Sequence, residues 1–349
     1  MSEKKIIKPK LMCASATFSN MCDRFVKGGY KNDAWVPANL DERLEAFAKV
    51  GNMHAVGYSW FLDVEPVDPI QYKDKLAQYG FRVGCACPAN YIEAHWKYGT
   101  FAARNPQTRR DIIDLSKRHM DWAEAADATD IMFWLAHDGY NYPFQDHYET
   151  HWDYLAESLA EVCAYKPDIK VTVEYKNYEP LTHQYAADLG KVMLLCDRVN
   201  KMTGHDNCKV IVDYGHALFG NENPAESVAL ANSYNMLGMI HLNDNMGRFD
   251  DDLIFGTVSF WQGLEFFWKL LQIGYINEDI NNKEGWFVMD NWPARMDGVE
   301  ATTEFINIVH HMVNLAASLP ADEIRELQAR DGNPPHIYKI LREYVLKEI

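Results

Sequence analysis

The sequence predicts an α/β fold: a single (β/α)8 TIM barrel over residues 1–319, with a short C-terminal helical extension over residues 320–349. Three observations carry that prediction. Eight short apolar or β-branched runs recur along the chain, the stretches between them show helical punctuation, and no linker is long enough to divide the 349 residues into two domains. Strands alternating with helices imply a parallel sheet, and eight of them suggest closure. An open doubly wound sheet is the alternative, but the first strand–helix turn lacks the GxGxxG fingerprint of that fold.

The strand-like runs, in order, are KLMCASATF (centred on 11–18), MHAVGYSW (53–60), RVGCACPA (82–89), DIMFWLA (130–136), IKVTVEYK (169–176), CKVIVDYG (208–215), LGMIHLND (237–244) and GWFVMDNW (285–292). Helix boundaries are equally legible. NLDERLEAFAKVG begins at a capping polar residue and stops at Gly51. DPIQYKDKLAQYG has Asp68 as N-cap, Pro69 at the first helical position and Gly80 past its end. NPQTRRDIIDLSKRHMDWAEAAD and NPAESVALANSY open with the same Asn-Pro signal. SFWQGLEFFWKLLQIGY is an amphipathic helix ending near Gly274. Two more helices follow Leu319, with Ile340, Leu341, Tyr344 and Val345 in helical spacing beyond what a barrel needs.

At 48% hydrophobic and 13% aromatic the chain can bury a large core. A formal net charge of −16 argues against nucleic acid or an anionic membrane as partner, because both are repelled at long range. Seven cysteines, at 13, 22, 85, 87, 163, 196 and 208, have no zinc-ribbon spacing. Cys85 and Cys87, two apart in a strand, share one face and read as buried thiols. No apolar leader follows Met1 and no run approaches the ~20 residues of a membrane span, so a reduced, cytoplasmic protein is expected.

The chemistry of such a barrel lies at the carboxyl ends of its strands. Strand five ends in Glu174, strand six in Asp213 followed by His216, strand seven in His241, and strand eight in Asp290. One such residue alone is a cap. Four at equivalent ends of successive strands crowd charge at one barrel mouth, and a cation is what relieves it. Oxygen ligands with one imidazole suit Mn²⁺, Mg²⁺ or Co²⁺. In HLNDNMGRFDDDL three adjacent aspartates, in isolation a solvated acidic loop, gain a role beside this cluster. Asp250 and Asp252 alternate across the triplet and can reach a second ion beside His216, which stands D-x-x-H from Asp213. The reading is a binuclear metal site.

These motifs resemble the xylose-isomerase-like barrel superfamily, and more closely its L-rhamnose isomerases. The resemblance spans roughly residues 130–295 and rests on FWLAHDGYNYPFQD, EYK, DYGH, HLND with DDDL, and VMDNW, in that order. It implies a first divalent metal held by Glu174, Asp213, His241 and Asp290, and a second, more labile one near His216, Asp250 and Asp252. It implies catalytic roles for Lys176, Asp250 and Asp290, with Trp134, Lys176 and His216 contacting the substrate. In the early strands, where these isomerases place sugar-binding histidines, His54 and His95 are the imidazoles available.

The expected reaction is the interconversion of an unphosphorylated aldose and ketose by a metal-assisted hydride shift, the sugar itself being left open. A ketose 3-epimerase, with one metal and two carboxylates shuttling protons, is the alternative. It uses glutamates on strands five and eight, whereas strand eight here offers the shorter Asp290. A nuclease on the same barrel needs a surface that attracts DNA, and a non-catalytic sugar-binding module needs no second metal. The resemblance further implies a homo-oligomer, a tetramer or dimer, with the C-terminal helices packing on the barrel or on a neighbouring subunit.

Overall fold

Eight of the predicted runs form strands, each bounded where apolar alternation gives way to a polar residue or a turn. They are β1 (Lys10–Cys13), β2 (Ala55–Ser59), β3 (Arg82–Cys87), β4 (Ile131–Trp134), β5 (Val171–Glu174), β6 (Cys208–Asp213), β7 (Leu237–Leu242) and β8 (Trp286–Met289). All pair in parallel and close into a barrel in the order β1-β8-β7-β6-β5-β4-β3-β2. This is a computed structural model; it describes residues 6–14, 17–22, 25–31, 36–59, 67–330 and 332–346. The predicted runs overshoot the strands at their carboxyl ends, because there the chain leaves the sheet to build the mouth of the barrel.

The helices are α1 (Leu40–Val50), α2 (Pro69–Gln78), α3 (Pro106–Ala126), α4 (Tyr148–Tyr165), α5 (Leu189–Thr203), α6 (Tyr214–Phe219), α7 (Pro224–Ser233), α8 (Phe260–Gln272) and α9 (Gly298–Ser318), followed by α10 (Ala321–Arg330) and α11 (Pro334–Leu341). The expected caps form. The side chains of Asn39, Asp68, Asn105 and Asn223 accept from backbone amides in the first turns of α1, α2, α3 and α7, which satisfies donors that no helical carbonyl can reach. Two features escape sequence reading. One is the short helix α6 directly after β6. The other is an antiparallel ribbon of residues 139–140 and 183–184 above the barrel.

Burial divides into two regions. The larger core fills the space between strands and helices, and a smaller set of Met12, Ala55, Cys85, Ile211, Met239, Trp286 and Val288 fills the barrel interior. The amino-terminal end of the barrel is closed. The fully buried Lys10 ammonium donates to the carbonyls of Asp279, Asn282 and Glu284 and lies 5.0 Å from the centre of the Trp286 ring. Burial pulls its pKa down to about 8. With that end sealed, access is from the carboxyl ends of the strands. In the tail, Ile340 is buried, Leu341 and Val345 pack against the main core, and Tyr338 meets Trp261 edge-on, so α11 lies on the barrel's own helices. Among the described residues no helix is long and apolar enough to cross a membrane.

Candidate metal centre and substrate pocket

Strand register assembles the cluster. Glu174 pairs with Trp134 across β4–β5, Asp213 pairs with His241 across β6–β7, and the amide of Asp290, one residue past β8, donates to the Leu242 carbonyl at 3.0 Å. One side-chain atom each from Glu174, Asp213, His241 and Asp290 falls within 4.8 Å of the others. His241 Nδ1 stands 3.2 Å from Glu174, 3.5 Å from Asp290 and 3.8 Å from Asp213. The four residues that sequence reasoning placed at successive strand ends therefore converge on one point.

His216 is not on a strand. It sits in the first turn of α6, where the Asp213 carboxylate caps the helix by accepting the His216 amide at 2.7 Å. Helix geometry turns the imidazole back over the barrel. Its Nδ1 lies 3.0 Å from the Tyr175 carbonyl and 3.2 Å from Glu174, and its Nε2 lies 3.0 Å from Asp250 Oδ2. The aspartate triplet alternates as expected. Asp250 and Asp252 turn inward to the cavity, while Asp251 accepts the Met246 amide from the loop's own backbone. Asp250 Oδ2 also accepts from Lys176 Nζ at 2.9 Å, and that ammonium lies 4.9 Å from the centre of the Trp134 ring. All of the sequence-predicted site residues thus gather at one barrel mouth.

Asn243 was not foreseen as part of the site. Fully buried, its Nδ2 donates to Asp213 Oδ2 at 3.0 Å and to Asp252 Oδ1 at 3.1 Å, tying the two ligand groups together. The only available signal was its place two residues after His241, on the same face of β7 as it leaves the barrel. Glu179, Tyr91 and Asn291 also line the cavity unforeseen, as do Cys85 and Cys87. His54 and His95 do not line it. His54 Nδ1 accepts the Leu11 amide ahead of β2, and His95 pairs with Glu93 at the surface.

Six carboxylates, of Glu174, Glu179, Asp213, Asp250, Asp252 and Asp290, face Lys176, the one permanent cation among the described residues of the site. Protons compensate part of that charge. Burial opposes ionisation of His216, but Asp213 and Asp250 outweigh it and raise its pKa well above the usual value. Glu174 and Asp290 do the same for His241. Burial also pushes Glu174 up, yet the two imidazoles hold it below the usual carboxylate range. Asp213, buried and beside Glu174, rises to about 7, and burial with three neighbouring aspartates raises Asp252 well above its usual value. This donor set fits a hard divalent cation: carboxylate oxygens with imidazole nitrogen and no thiolate. Among the described residues the buried Asp250 Oδ1 has no hydrogen-bond partner, which leaves an oxygen free to coordinate.

The cavity above the cluster measures about 460 Å³. The carboxylate–imidazole group lines it together with the side chains of Met21, Tyr58, Met132, Trp134 and Val288. Lys176 is the one Lys or Arg among the described residues lining it.

The sequence model of a family described as xylose isomerase-like TIM barrel matches residues 49–322. A xylose isomerase of Thermus caldophilus is 25% identical over 192 residues, covering 54% of this chain and 49% of that protein. One from Chelativorans sp. strain BNC1 is 27% identical over 165 residues, covering 44% of this chain and 36% of that protein. The matched part is thus half or less of the length of these relatives. Among solved structures, a D-tagatose 3-epimerase-like protein superposes with a TM-score of 0.65 at 18% identity, over 88% of this chain and 100% of that one. An L-ribulose 3-epimerase gives 0.64 at 12%, over 93% and 99%. At these identities the structural likeness is one of fold.

Proposed function

The chain belongs to the xylose isomerase-like TIM barrel family, and we propose that it is a divalent-metal-dependent isomerase interconverting an unphosphorylated aldose and its ketose. One observation supports the choice of chemistry: His216, which meets both Glu174 and Asp250, and Asp252, tied through Asn243 to Asp213, lie at the same mouth as the four-residue cluster, and we read His216, Asp250 and Asp252 as a second donor set. A one-metal, proton-shuttling epimerase has no use for it. Glu174, Asp213, His241 and Asp290 would hold Mn²⁺, Mg²⁺ or Co²⁺, with a second ion near His216, Asp250 and Asp252, and the bound metal would supply Lewis-acid polarisation of a carbonyl and its neighbouring hydroxyl.

The chain's own groups bind and orient. Lys176, fixed by Asp250 and Glu179, presents a positive charge to an oxygen on which negative charge develops. The Trp134 ring offers an apolar face to sugar C–H groups. Glu174 is engaged by two imidazoles, Asp250 by Lys176 and His216, Asp252 by Asn243 and Glu179 by Lys176, and Asp290, beside His241, is read as a ligand of the first ion, so this reading sets none aside as a base. The migrating hydrogen then stays within the substrate. Among the described residues lining the cavity Lys176 is the one Lys or Arg, and it is already engaged by Asp250 and Glu179, which supports an unphosphorylated sugar.

The decisive experiment is turnover of a panel of aldoses and ketoses in D2O, after chelation and reloading with Mn²⁺ or Co²⁺. Aldose–ketose interconversion with the product carbon unlabelled is expected. A 3-epimer carrying deuterium overturns the reading in favour of proton transfer. The reading includes a cytoplasmic homo-oligomer, supported by seven free cysteines and by Tyr338, Tyr344 and Leu346 left exposed on the tail. Light scattering that returns a monomer at micromolar concentration removes the oligomer.

A further inference from the structure

The residues from Asn245 to Val258 leave the barrel after β7, carry Asp250 and Asp252 over the mouth, and return to start α8. Carrying like charges inward is unfavourable, so something must hold this excursion shut. Backbone ties it at two places: Asp244 and Leu253 exchange both amide–carbonyl bonds, at 3.0 and 2.8 Å, and the Asp252 carbonyl accepts the Trp292 amide at 3.0 Å. A further tie is the Asp244 side chain. Fully buried, it accepts the Asn245 amide at 3.0 Å, the Val258 amide at 2.9 Å, the Ser259 amide at 3.1 Å and the Ser259 hydroxyl at 2.7 Å. Both ends of the excursion thus hang on one carboxylate, placed at the amino terminus of α8 where negative charge is favoured. Ser259 in turn meets Tyr214, the neighbour of Asp213, at 2.8 Å between hydroxyl oxygens.

The structure assigns Asp244 as the positioning residue of the second donor set: its carboxylate latches the loop that brings Asp250 and Asp252 to His216, without itself touching that set. This rests on the two-site reading given above. It separates the residues HLND into distinct tasks: His241 donates to the first cluster, Asn243 ties the two sets together, and Asp244 holds the loop. It also means that occupancy of the second site is controlled from outside it, by a group the substrate never meets.

The test compares wild type with Asp244→Ala and with Asp244→Asn, which keeps the shape and one acceptor oxygen. Mn²⁺ is titrated into metal-free protein with free Mn²⁺ followed by electron paramagnetic resonance, and amide exchange is read by NMR at Val258 and Ser259. Wild type should bind two ions. Asp244→Ala should keep one with unaltered affinity, lose the other, and exchange those amides about tenfold faster or more, as expected for losing bonds to a charged acceptor; Asp244→Asn should fall between. An Asp244→Asn protein with two wild-type sites and wild-type protection overturns the assignment. So does loss of both ions together with faster exchange throughout the barrel, which marks a general structural role. If wild type itself binds one ion, the two-site reading fails, and exchange at the two amides still decides whether Asp244 is the latch.

Discussion

Gly215→Ala isolates the contact between the two donor sets. Gly215 lies in the first turn of α6, and a Cβ built there would stand 1.9 Å from Asn243 Oδ1, 2.9 Å from its Cγ and 3.0 Å from Asn245 Nδ2. No side chain tolerates the first distance, so Asn243 must turn away and give up its bonds to Asp213 and Asp252. At the low end for carboxylate acceptors those two bonds are worth about 1.5 kcal/mol each. Overpacking adds about 1–3 kcal/mol, and the better helix propensity of alanine offsets about 1 kcal/mol. The net loss is then about 3–5 kcal/mol, and with an unfolding entropy of about 2.1 cal/mol/K per residue it lowers Tm by about 4–7 °C in a chain of 349 residues. Thermal melts of metal-free protein read this loss, and Mn²⁺ titration should show weaker binding at both sets. A Gly215→Ala protein melting within about 1 °C of wild type, with unchanged Mn²⁺ binding, would refute the reasoning, since the error then lies well outside the ~1 kcal/mol that helix propensity covers.

Glu174→Gln and Asp290→Asn should each abolish tight divalent-metal binding and turnover together; full activity without bound metal in either variant removes the first cluster from the mechanism. Asp250→Asn should lose turnover while one Mn²⁺ remains at the Glu174 cluster, and a fully active variant would return the aspartate triplet to a solvated loop. His119, on α3 and 1% exposed, has its pKa lowered by burial to about 4. Between the unfolded value near 6.5 and that folded value the unfolded chain binds a proton the folded chain refuses, so stability falls as pH drops through this window. The loss approaches about 3 kcal/mol, and urea unfolding of wild type and His119→Gln from pH 7 to 4 should show it flattened in the variant; parallel profiles would contradict it.

Information about the barrel and information about the site lie in different parts of each strand unit, which explains what the sequence could and could not reveal. Apolar alternation reports on strand interiors, and Asn-Pro, Asp-Pro and terminal glycines report on helix ends, so eight strands and the capped helices were legible from neighbours in the chain. Glu174, Asp213, His241 and Asp290 were legible because each interrupts an apolar run where a barrel strand must open to its mouth. Asp250 and Asp252 required only the same alternation, applied to a loop. What stayed hidden depends on partners distant in sequence. Asn243 matters because Asp213 lies 30 residues before it, and Gly215 because Asn243 fills the space its Cβ would need. Asp244 was readable as a polar residue after a strand, but its burial and its four donors follow from where α8 begins, which local pattern does not report. His216 shows the same division within three residues: the spacing from Asp213 marked it as a ligand, while the helical turn that aims it over the barrel came from the capping bond of Asp213 itself. A residue that serves a ligand is therefore harder to find than the ligand, because its role is defined by the packing of two elements and not by the composition of one.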